Sequence, residues 1–404
     1  MSDNSPKPAM GFYEFVALAA AMFSLVALSV DAMLPALPQM GRDLGSLDPN
    51  ENQLIIGSML LGLGLGQLFY GPLSDSIGRK TPIYMGIFLY LVGCLICVLS
   101  TSMPMMLAGR LLQGLGVAGP RIVVVAIIRD QFEGNAMARV MSFIMTVFIL
   151  VPALAPAIGQ GIMVLSTWRW IFGLFLAQAL ISLIWFYFRH PETLTLDRRR
   201  PYSLRRILRA TAEVFRHRIA FGYTVVAGFI FGAFLGYLNS TQQIFDVVYG
   251  RGDQMPFYFA VLAMGLGAAS LSNAKLVMRY GMMRLSAISL AIFCGLSIAF
   301  LFYAIAWEGA PPFAHFVIFC TVDFFFIGIL FGNMNAAAME PMGHIAGVAA
   351  AVSGFITSVM SVILGTIVGQ FFDGTVIPLI AGFAVMGCIA GLLMYWAERG
   401  RKTK

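Results

Sequence analysis

Residues Gly71–Pro82, with the sequence GPLSDSIGRKTP, form a short polar break between two long apolar runs, Asn52–Tyr70 and Ile83–Ser100. Apolar runs of this length are typical of helices that span a membrane. Gly71 and Gly78 allow a close backbone approach or a positive φ where the chain reverses. The stretch therefore predicts a short loop between two antiparallel spanning helices.

The charged residues of this loop predict which side of the membrane it occupies. Asp75 can cap a helix start or pair with a cation. Arg79 and Lys80 favour the cytoplasmic side, because the cytoplasmic loops of membrane proteins are enriched in basic residues. Pro82 suits the first turn of the second helix. We expect the loop to lie in the cytoplasm.

The composition extends this prediction to the whole chain. The 404 residues are 59% hydrophobic and 11% charged, and the mean hydropathy is +0.84. A water-soluble protein of this length needs far more charge on its surface. The sequence instead predicts an all-α polytopic membrane protein with 12 transmembrane helices, near residues 13–37, 52–72, 82–100, 104–128, 136–163, 168–188, 220–243, 255–275, 285–306, 313–337, 346–372 and 376–396.

The distribution of the net charge of +7 argues against nucleic-acid binding and indicates a membrane orientation. In the predicted topology, the connections on the non-cytoplasmic side carry only Arg42, Arg169 and Arg251. The other basic residues gather in every second connection and in the tails: Lys7, Arg79, Lys80, Arg129, Arg139, residues 189–218, Lys275, Arg279, Arg284 and residues 399–404. This bias places both termini in the cytoplasm.

The only long polar segment, His190–Arg218, separates two groups of six spans. We therefore divide the chain into a first six-helix bundle (1–188), a basic cytoplasmic linker (189–219) and a second six-helix bundle (220–404). Within the linker, apolar residues recur at helical spacing from Ser203 to Phe215, between several arginines. We expect an amphipathic helix lying on the anionic inner leaflet.

Further motifs lie on the predicted spans. Helix 4 carries Arg110-Leu-Leu-Gln113-Gly114-Leu-Gly116, and helix 5 carries Val151-Pro152-Ala-Leu-Ala-Pro156-Ala-Ile-Gly159. Proline and glycine at such spacing soften a helix and permit close contact with a neighbour. Asn273–Gly281, between helices 8 and 9, is a degenerate echo of the opening loop, and Glu340-Pro341 follows helix 10.

The opening stretch resembles the G-x-L-x-D-x-x-G-R-[KR] signature of the major facilitator superfamily. Together with the motifs of helices 4 and 5, it makes the whole chain similar to the bicyclomycin-resistance (Bcr/CflA) branch of drug:proton antiporters. The resemblance implies two pseudo-symmetric six-helix bundles in a bacterial inner membrane that rock about a midplane site. It also implies a monomer that needs the proton gradient, small-molecule cargo and the lipid bilayer, with no cofactor and no metal.

The resemblance assigns roles to particular residues. The gating motif is Gly71, Asp75, Gly78, Arg79, Lys80 and Glu340, and the helix-5 antiporter motif is Pro152, Pro156 and Gly159. Helices 1, 4, 7 and 10 line the cavity in this superfamily, which suggests the cavity residues Asp31, Arg110, Gln113, Arg121, Asn239 and Asp323. Arg121 is a departure from the branch, and it would favour an anionic cargo.

The ionisable residues inside the spans are costly and therefore informative. Asp31 and Arg110 are predicted at matching depths, so they form either a structural ion pair or a proton and substrate site. Burial favours the neutral acid, whereas a nearby arginine favours the carboxylate. We expect this balance to make Asp31 the principal proton carrier, coupled to Arg110, with Asp323 as the second candidate.

Three functions compete. The first is a proton-coupled exporter of small amphipathic compounds. The second keeps the fold and exports a specific metabolite or siderophore, for which the positive charge of Arg121 is the argument. The third, an intramembrane enzyme or sensor, finds no support, because the sequence has no zinc, serine–histidine or phosphate-binding arrangement.

Overall fold

The computed structural model describes residues 10–199 and 201–399, without the side chains of Asn135, Ala138, Met145, Phe148, Ile149 and Arg206. Lys7, Arg200 and the basic tail from residue 400 lie outside this part. Fourteen α-helices and no strands occur within it, with these bounds: α1 Phe12–Asp31, α2 Leu37–Asp43, α3 Leu54–Ile77, α4 Lys80–Val98, α5 Met103–Gln131, α6 Gly134–Leu165, α7 Arg169–Arg189, α8 Leu204–Arg216, α9 Arg218–Gln243, α10 Met255–Tyr280, α11 Met282–Ala306, α12 Phe313–Met339, α13 Ala346–Gln370 and α14 Ile377–Arg399.

Twelve of these helices are long, and their apolar character fits membrane spans. Ten stretches of the described chain are long and apolar enough to cross a bilayer, and one of them, Phe313–Gln370, contains both α12 and α13. Within α6 a shorter apolar stretch is found, Leu150–Leu165, in addition to these ten. The 12-helix prediction is confirmed.

The same packing pattern occurs twice. In the first half, α1 packs on α6 and α7, and α5 packs on α3 and α4. In the second half, α9 packs on α13 and α14, and α12 packs on α10 and α11. The two halves meet along two seams, α3 against α13 and α6 against α10. In the repeated pattern α10 is the counterpart of α3 and α13 is the counterpart of α6, so the two seams are equivalent. This is the arrangement expected of a carrier built from two structural repeats.

The opening stretch is more helical than we predicted. The helix α3 continues through Gly71 to Ile77 and α4 starts at Lys80, so the break is only Gly78 and Arg79. Gly78 adopts φ +100°, a conformation that favours glycine and reverses the chain within one residue. The polar residues therefore extend the helix beyond the apolar run, where water can solvate them.

The glycine of the helix-4 motif lets α5 approach its neighbour closely. A Cβ added at Gly114 would lie 1.9 Å from the carbonyl oxygen of Met59 on α3. Glycine in this motif is therefore explained by backbone packing between spans, as in other tightly packed membrane helices.

The helix-5 motif packs on the end of α1. A Cβ added at Gly159 would lie 1.9 Å from the carbonyl oxygen of Ala32, the residue after Asp31. Pro152 and Pro156 lie in the same helix without interrupting it. The motif thereby fixes the backbone beside Asp31.

We expect Gly159→Ala to lower the thermal unfolding midpoint of the purified protein, because the methyl group collides with the backbone of Ala32. The matched control is Gly161→Ala in the same helix, where nothing lies within 4 Å of the added Cβ. Helix propensity favours alanine by about 1 kcal/mol at both positions, so the control should be neutral or stabilising. Equal effects of the two substitutions would contradict the close contact.

Candidate functional site

The two ends of the helical bundle differ in how closely the two halves are joined. We call the end with residues 44–53, 244–254 and 371–376 the outer end, and the end with Gly78, Arg79, residues 190–217 and residues 340–345 the basic end. The halves are joined by hydrogen bonds at the outer end and are separated by cavities at the basic end. The two halves are therefore sealed together at the outer end and open at the basic end.

The outer seal is a network of side-chain amides that crosses between the halves. Asn50 Nδ2 donates to the carbonyls of Gln370 and Phe372, both at 3.2 Å, and Gln370 Nε2 donates to the carbonyl of Asn50 at 2.7 Å. Gln243 Nε2 donates to Asn50 Oδ1 at 2.7 Å, and Gln53 Nε2 donates to Gln243 Oε1 at 2.6 Å. Each bond is worth about 0.5–1.5 kcal/mol net, so the network can hold the ends together and still open.

Asn239 lies directly beneath this seal. It is 1% exposed, and neither atom of its amide has a hydrogen-bond partner among the described residues. A Cβ added at Gly369 of α13 would lie 3.1 Å from the Asn239 Cβ and 1.9 Å from Gln53 Oε1. Asn239 is therefore at the seam between the halves, with an amide free to bind a ligand.

Arg110 lies wholly inside the first half and is completely buried. Its guanidinium donates to the carbonyl of Ser29 on α1 at 3.0 Å, to the carbonyl of Ile55 on α3 at 3.1 Å and to the side-chain oxygen of Gln113. The Phe172 ring centroid is 5.9 Å from the guanidinium carbon. Arg110 thus ties three helices together through neutral acceptors.

The expected pairing of Asp31 with Arg110 does not occur. Arg110 binds the carbonyl of Ser29, and Asp31 follows Ser29 by two residues, about 200° around the helix. Asp31 is only 5% exposed, yet no ion-pair or hydrogen-bond partner of its carboxylate is found in residues 10–199 and 201–399. Its role as a proton carrier remains a prediction, now without Arg110 as the counter-charge.

Two further residues of the predicted site, Asp323 and Gln113, are buried within one half. Asp323 is completely buried and faces α11, where Ser297 Oγ donates to its Oδ2 at 3.0 Å. Its Oδ1 has no partner within the described chain. Gln113 is also completely buried, and its Nε2 contacts the Cys94 sulfur at 3.1 Å. Asp323, Gln113 and Arg110 therefore have their hydrogen-bond partners within one half in this conformation, and their assignment to the substrate cavity remains a prediction.

Arg121, in the middle of α5, differs from Arg110 in that its side chain is not fully buried. It is partly exposed, and its guanidinium has no ion-pair or hydrogen-bond partner among the described side chains. It follows Arg110 by eleven residues, close to three helical turns, so both side chains leave α5 on one face. Its predicted role toward an anionic cargo remains a prediction.

The gating motif forms an ion-pair network within the first half. Arg79 Nη1 contacts Asp75 Oδ1 at 2.6 Å, and Arg79 Nε contacts Asp130 Oδ2 at 2.8 Å. Burial alone would lower the pKa of Arg79, but hydrogen bonds to Asp130 and Asp75 raise it above its usual value. Lys80 lies 5.9 Å from the Tyr84 ring, and Glu340 is exposed in the turn after α12.

Sequence reasoning missed Glu192 of the linker. Its carboxylate accepts the backbone N–H groups of Arg79 at 2.8 Å and Lys80 at 3.1 Å, at the start of α4. Burial would raise the pKa of Glu192, but backbone N–H donors, those of Arg79 and Lys80 among them, lower it below its usual value. Anions are favoured at a helix N-terminus, so Glu192 docks the linker on the gating motif. The acidic residue directly after Pro191 was the available signal.

Cavities separate the halves at the basic end. One of about 530 Å³ is lined by Asp75, Arg79 and Arg129 of the first half, by the linker and by Gly347 of the second. Another of about 210 Å³ reaches from Pro72 and Asp75 to His344. Asp75 thus faces the second half across open space, as a gate residue in the open position would.

We expect the double substitution Asn50→Ala and Gln53→Ala to open the outer end, because it removes most of the amide network. Spin labels at the exposed positions Leu47 and Arg251, on opposite halves, measure this distance. The double variant should populate longer distances than the protein with Asn50 and Gln53 intact. The control Ser46→Ala, whose hydroxyl bonds only within its own loop, should not. An unchanged distance distribution in the double variant would contradict the seal.

We expect Glu192→Ala to release the linker from α4, since the carboxylate is the group that docks it. Limited trypsin digestion should then cleave after Arg198 and Arg199 faster than in the wild type. Glu133→Ala removes the same charge from an exposed position of the chain and serves as the control. Because the pKa of Glu192 is lowered, wild-type docking persists at neutral pH and is lost only on acidification below the usual glutamate range. Equal cleavage of the two variants would refute the docking role.

Comparison with known proteins agrees with this geometry. The chain is 29% identical over 383 residues to the uncharacterized MFS-type transporter YdgK of Bacillus subtilis, covering 93% of this chain and 92% of the relative. It is 28% identical over 380 residues to the bicyclomycin resistance protein homolog of Haemophilus influenzae, covering 93% of both. It is 26% identical over 350 residues to multidrug resistance protein D of Escherichia coli, covering 83% of both.

A solved structure has the same fold. The xylose transporter XylE from E. coli, in a partially occluded inward open conformation, matches with a TM-score of 0.72 and 14% identity over 95% of this chain and 97% of the other. At that identity the likeness concerns the fold alone. The model of the family described as the Major Facilitator Superfamily matches residues 19–366. Because that match covers most of the chain, this protein belongs to the Major Facilitator Superfamily of membrane transporters.

Proposed function

We propose that this chain is a proton-driven exporter of small amphipathic compounds, antibiotics among them, that works by alternating access. The observation that carries the proposal is Asp31, a buried carboxyl group without a partner among the described residues, close to the sealed outer end. Relatives named for bicyclomycin and multidrug resistance support drug efflux over export of one metabolite. We place both termini in the cytoplasm, because the basic connections lie at one end of the bundle. We further propose that the protein is a monomer in a bacterial cytoplasmic membrane.

The cost of burying charge links the proton to the conformation. The turn Leu34–Ala36, directly after α1, contacts both α6 and α9, so Asp31 precedes a point where the halves meet. An ionised carboxylate without a cation or a donor is expensive to bury, and protonation removes most of that cost. A proton that arrives from outside would therefore permit the outer end to close over Asp31.

The return to the outward-open conformation follows from the same cost of burying an ionised Asp31. With the outer end sealed and the basic end open, cargo enters from the cytoplasm and can contact Arg121 and Asn239. Cargo binding would favour loss of the proton from Asp31, and the ionised group would then favour the conformation in which water reaches it from outside. Proton movement and cargo movement are thereby opposed in direction.

The available energy is sufficient for this exchange. A proton-motive force of about 150 mV at roughly 2.3 kcal/mol per 100 mV supports a cargo gradient of about 300-fold per proton. A direct test is expression in bacteria that lack their own efflux pumps. We expect a higher inhibitory concentration for bicyclomycin or other amphipathic antibiotics. No protection against any compound, together with no cargo-dependent proton flux in proteoliposomes, would overturn the proposal.

We expect Asp31→Asn to bind cargo but not to accumulate it against a gradient, because an amide cannot carry the proton. Asp323→Asn, which changes a carboxyl group bonded within the second half, should keep partial coupling. The measurement is cargo-induced proton release from purified protein in detergent. Undiminished release from Asp31→Asn would move the proton site elsewhere, with Asp323 examined first.

A further inference from the structure

The linker helix α8 has three faces of different chemistry. At 100° per residue, Ile207, Ala210 and Val214 share one stripe, and all three are buried. Val214 packs in a small apolar cluster with residues of the second half, Met342, Ala349 and Val352 among them. Glu213 of α8 adds an ion pair, with its Oε1 at 2.6 Å from His344 Nε2. This face attaches α8 to the second half.

The second face of α8 is apolar and uncovered. Leu204, Leu208 and Phe215 lie within about 40° of one another around the helix and are 60%, 60% and 50% exposed. The Phe215 ring centroid is 5.1 Å from that of Phe221 in the first turn of α9. The exposed apolar stripe is therefore continuous with a spanning helix.

The third face of α8 is basic. Arg205, Arg209 and Arg216 lie within about 40° of one another, next to the apolar stripe and opposite the packed one. All three are exposed, and no carboxylate partner of these arginines is found in the described part of the chain. The linker thus presents three free cations beside an apolar edge.

Neighbouring residues mark the level of the membrane surface. Arg218, at the start of α9, donates to the carbonyl of Trp396 at 2.9 Å, and its guanidinium lies 4.6 Å from the Trp396 ring centroid. Trp396 and Tyr395 are 43% and 60% exposed near the end of α14. Exposed aromatic rings at the end of a span are typical of the membrane–water interface. The C-terminal end of α8 is therefore at interface height.

We propose that α8 is a binding site for anionic phospholipid, in which Leu204, Leu208 and Phe215 enter the lipid surface and Arg205, Arg209 and Arg216 bind the headgroup phosphates. An apolar stripe beside a basic stripe is the pattern of helices that lie in an anionic interface. The bilayer that surrounds the protein is the one occupant that meets both faces at once.

The site goes beyond transport itself, since it concerns the contact of the linker with the membrane. Ser203 and Ile207 of the same linker line the 210 Å³ cavity between the halves. Glu192 docks the earlier part of the linker on the first half, whereas α8 is attached to the second. Anionic lipid that holds α8 therefore stabilises one position of the segment that bridges the two halves at the basic end.

The test uses the purified full-length protein in mixed micelles. Phosphatidylglycerol is titrated against phosphatidylcholine, and the unfolding midpoint is followed by tryptophan fluorescence. We compare the triple variant Arg205→Gln, Arg209→Gln, Arg216→Gln with the control Lys275→Gln, Arg279→Gln, Arg284→Gln. The control removes three exposed positive charges from the end of α10 and the start of α11. Glycerol phosphate, the free headgroup, is titrated separately.

Phosphatidylglycerol should stabilise the wild type and the control, and phosphatidylcholine should not. Each arginine near an anionic surface contributes roughly five-fold in affinity, so the α8 variant should need up to about 100-fold more phosphatidylglycerol for half-maximal stabilisation. Leu204→Ser with Leu208→Ser should also weaken the response. The proposal is overturned if both triple variants lose the response equally, if the wild type does not distinguish the two lipids, or if glycerol phosphate stabilises as well as the lipid does.

Discussion

The rigidity of the first half depends on how the buried guanidinium of Arg110 is satisfied. A cation taken out of water is costly unless its donors find acceptors, and Arg110 finds them in two backbone carbonyls and one amide. The acceptors lie on three helices, so α1, α3 and α5 can separate only by leaving a buried charge unpaired. Each half can therefore move as one body, which is the condition for alternating access.

Asp31 and Asn239, unlike Arg110, are buried polar residues without hydrogen-bond partners among the described residues. Both are buried near the seam between the halves. Unpaired polar groups in a low-dielectric interior are unstable unless a proton, a ligand or a conformational change satisfies them. The donors of Arg110 all find acceptors within one half, so we interpret Arg110 as a structural residue. The polar groups of Asp31 and Asn239 find none, so we expect these two residues to respond to protons and cargo.

The sequence was informative where the pattern is local. Runs of apolar residues predicted the 12 spans, and the helical spacing in the linker predicted α8 to within one residue of its bounds. The partner of Arg110 could not be predicted, because backbone carbonyls have no sequence signature and matching depth does not specify the helix face. The contact between Glu192 and Arg79 joins positions 113 residues apart, and it depends on where α7 returns the chain. The hydrogen bond from Ser297 on α11 to Asp323 could not be predicted either, because it joins two different helices.

The outer seal differs from the basic end in one respect that matters for a cell. Its contacts join amides and carbonyls, which neither titrate near neutral pH nor are screened as ion pairs are by salt. The basic end, in contrast, is built from guanidinium and carboxylate groups. A bacterium controls the ionic composition of its cytoplasm far better than that of its surroundings. In the orientation that we propose, the end that faces the variable medium would therefore be closed by contacts that depend little on salt or pH, and the charge-sensitive contacts would lie on the cytoplasmic side.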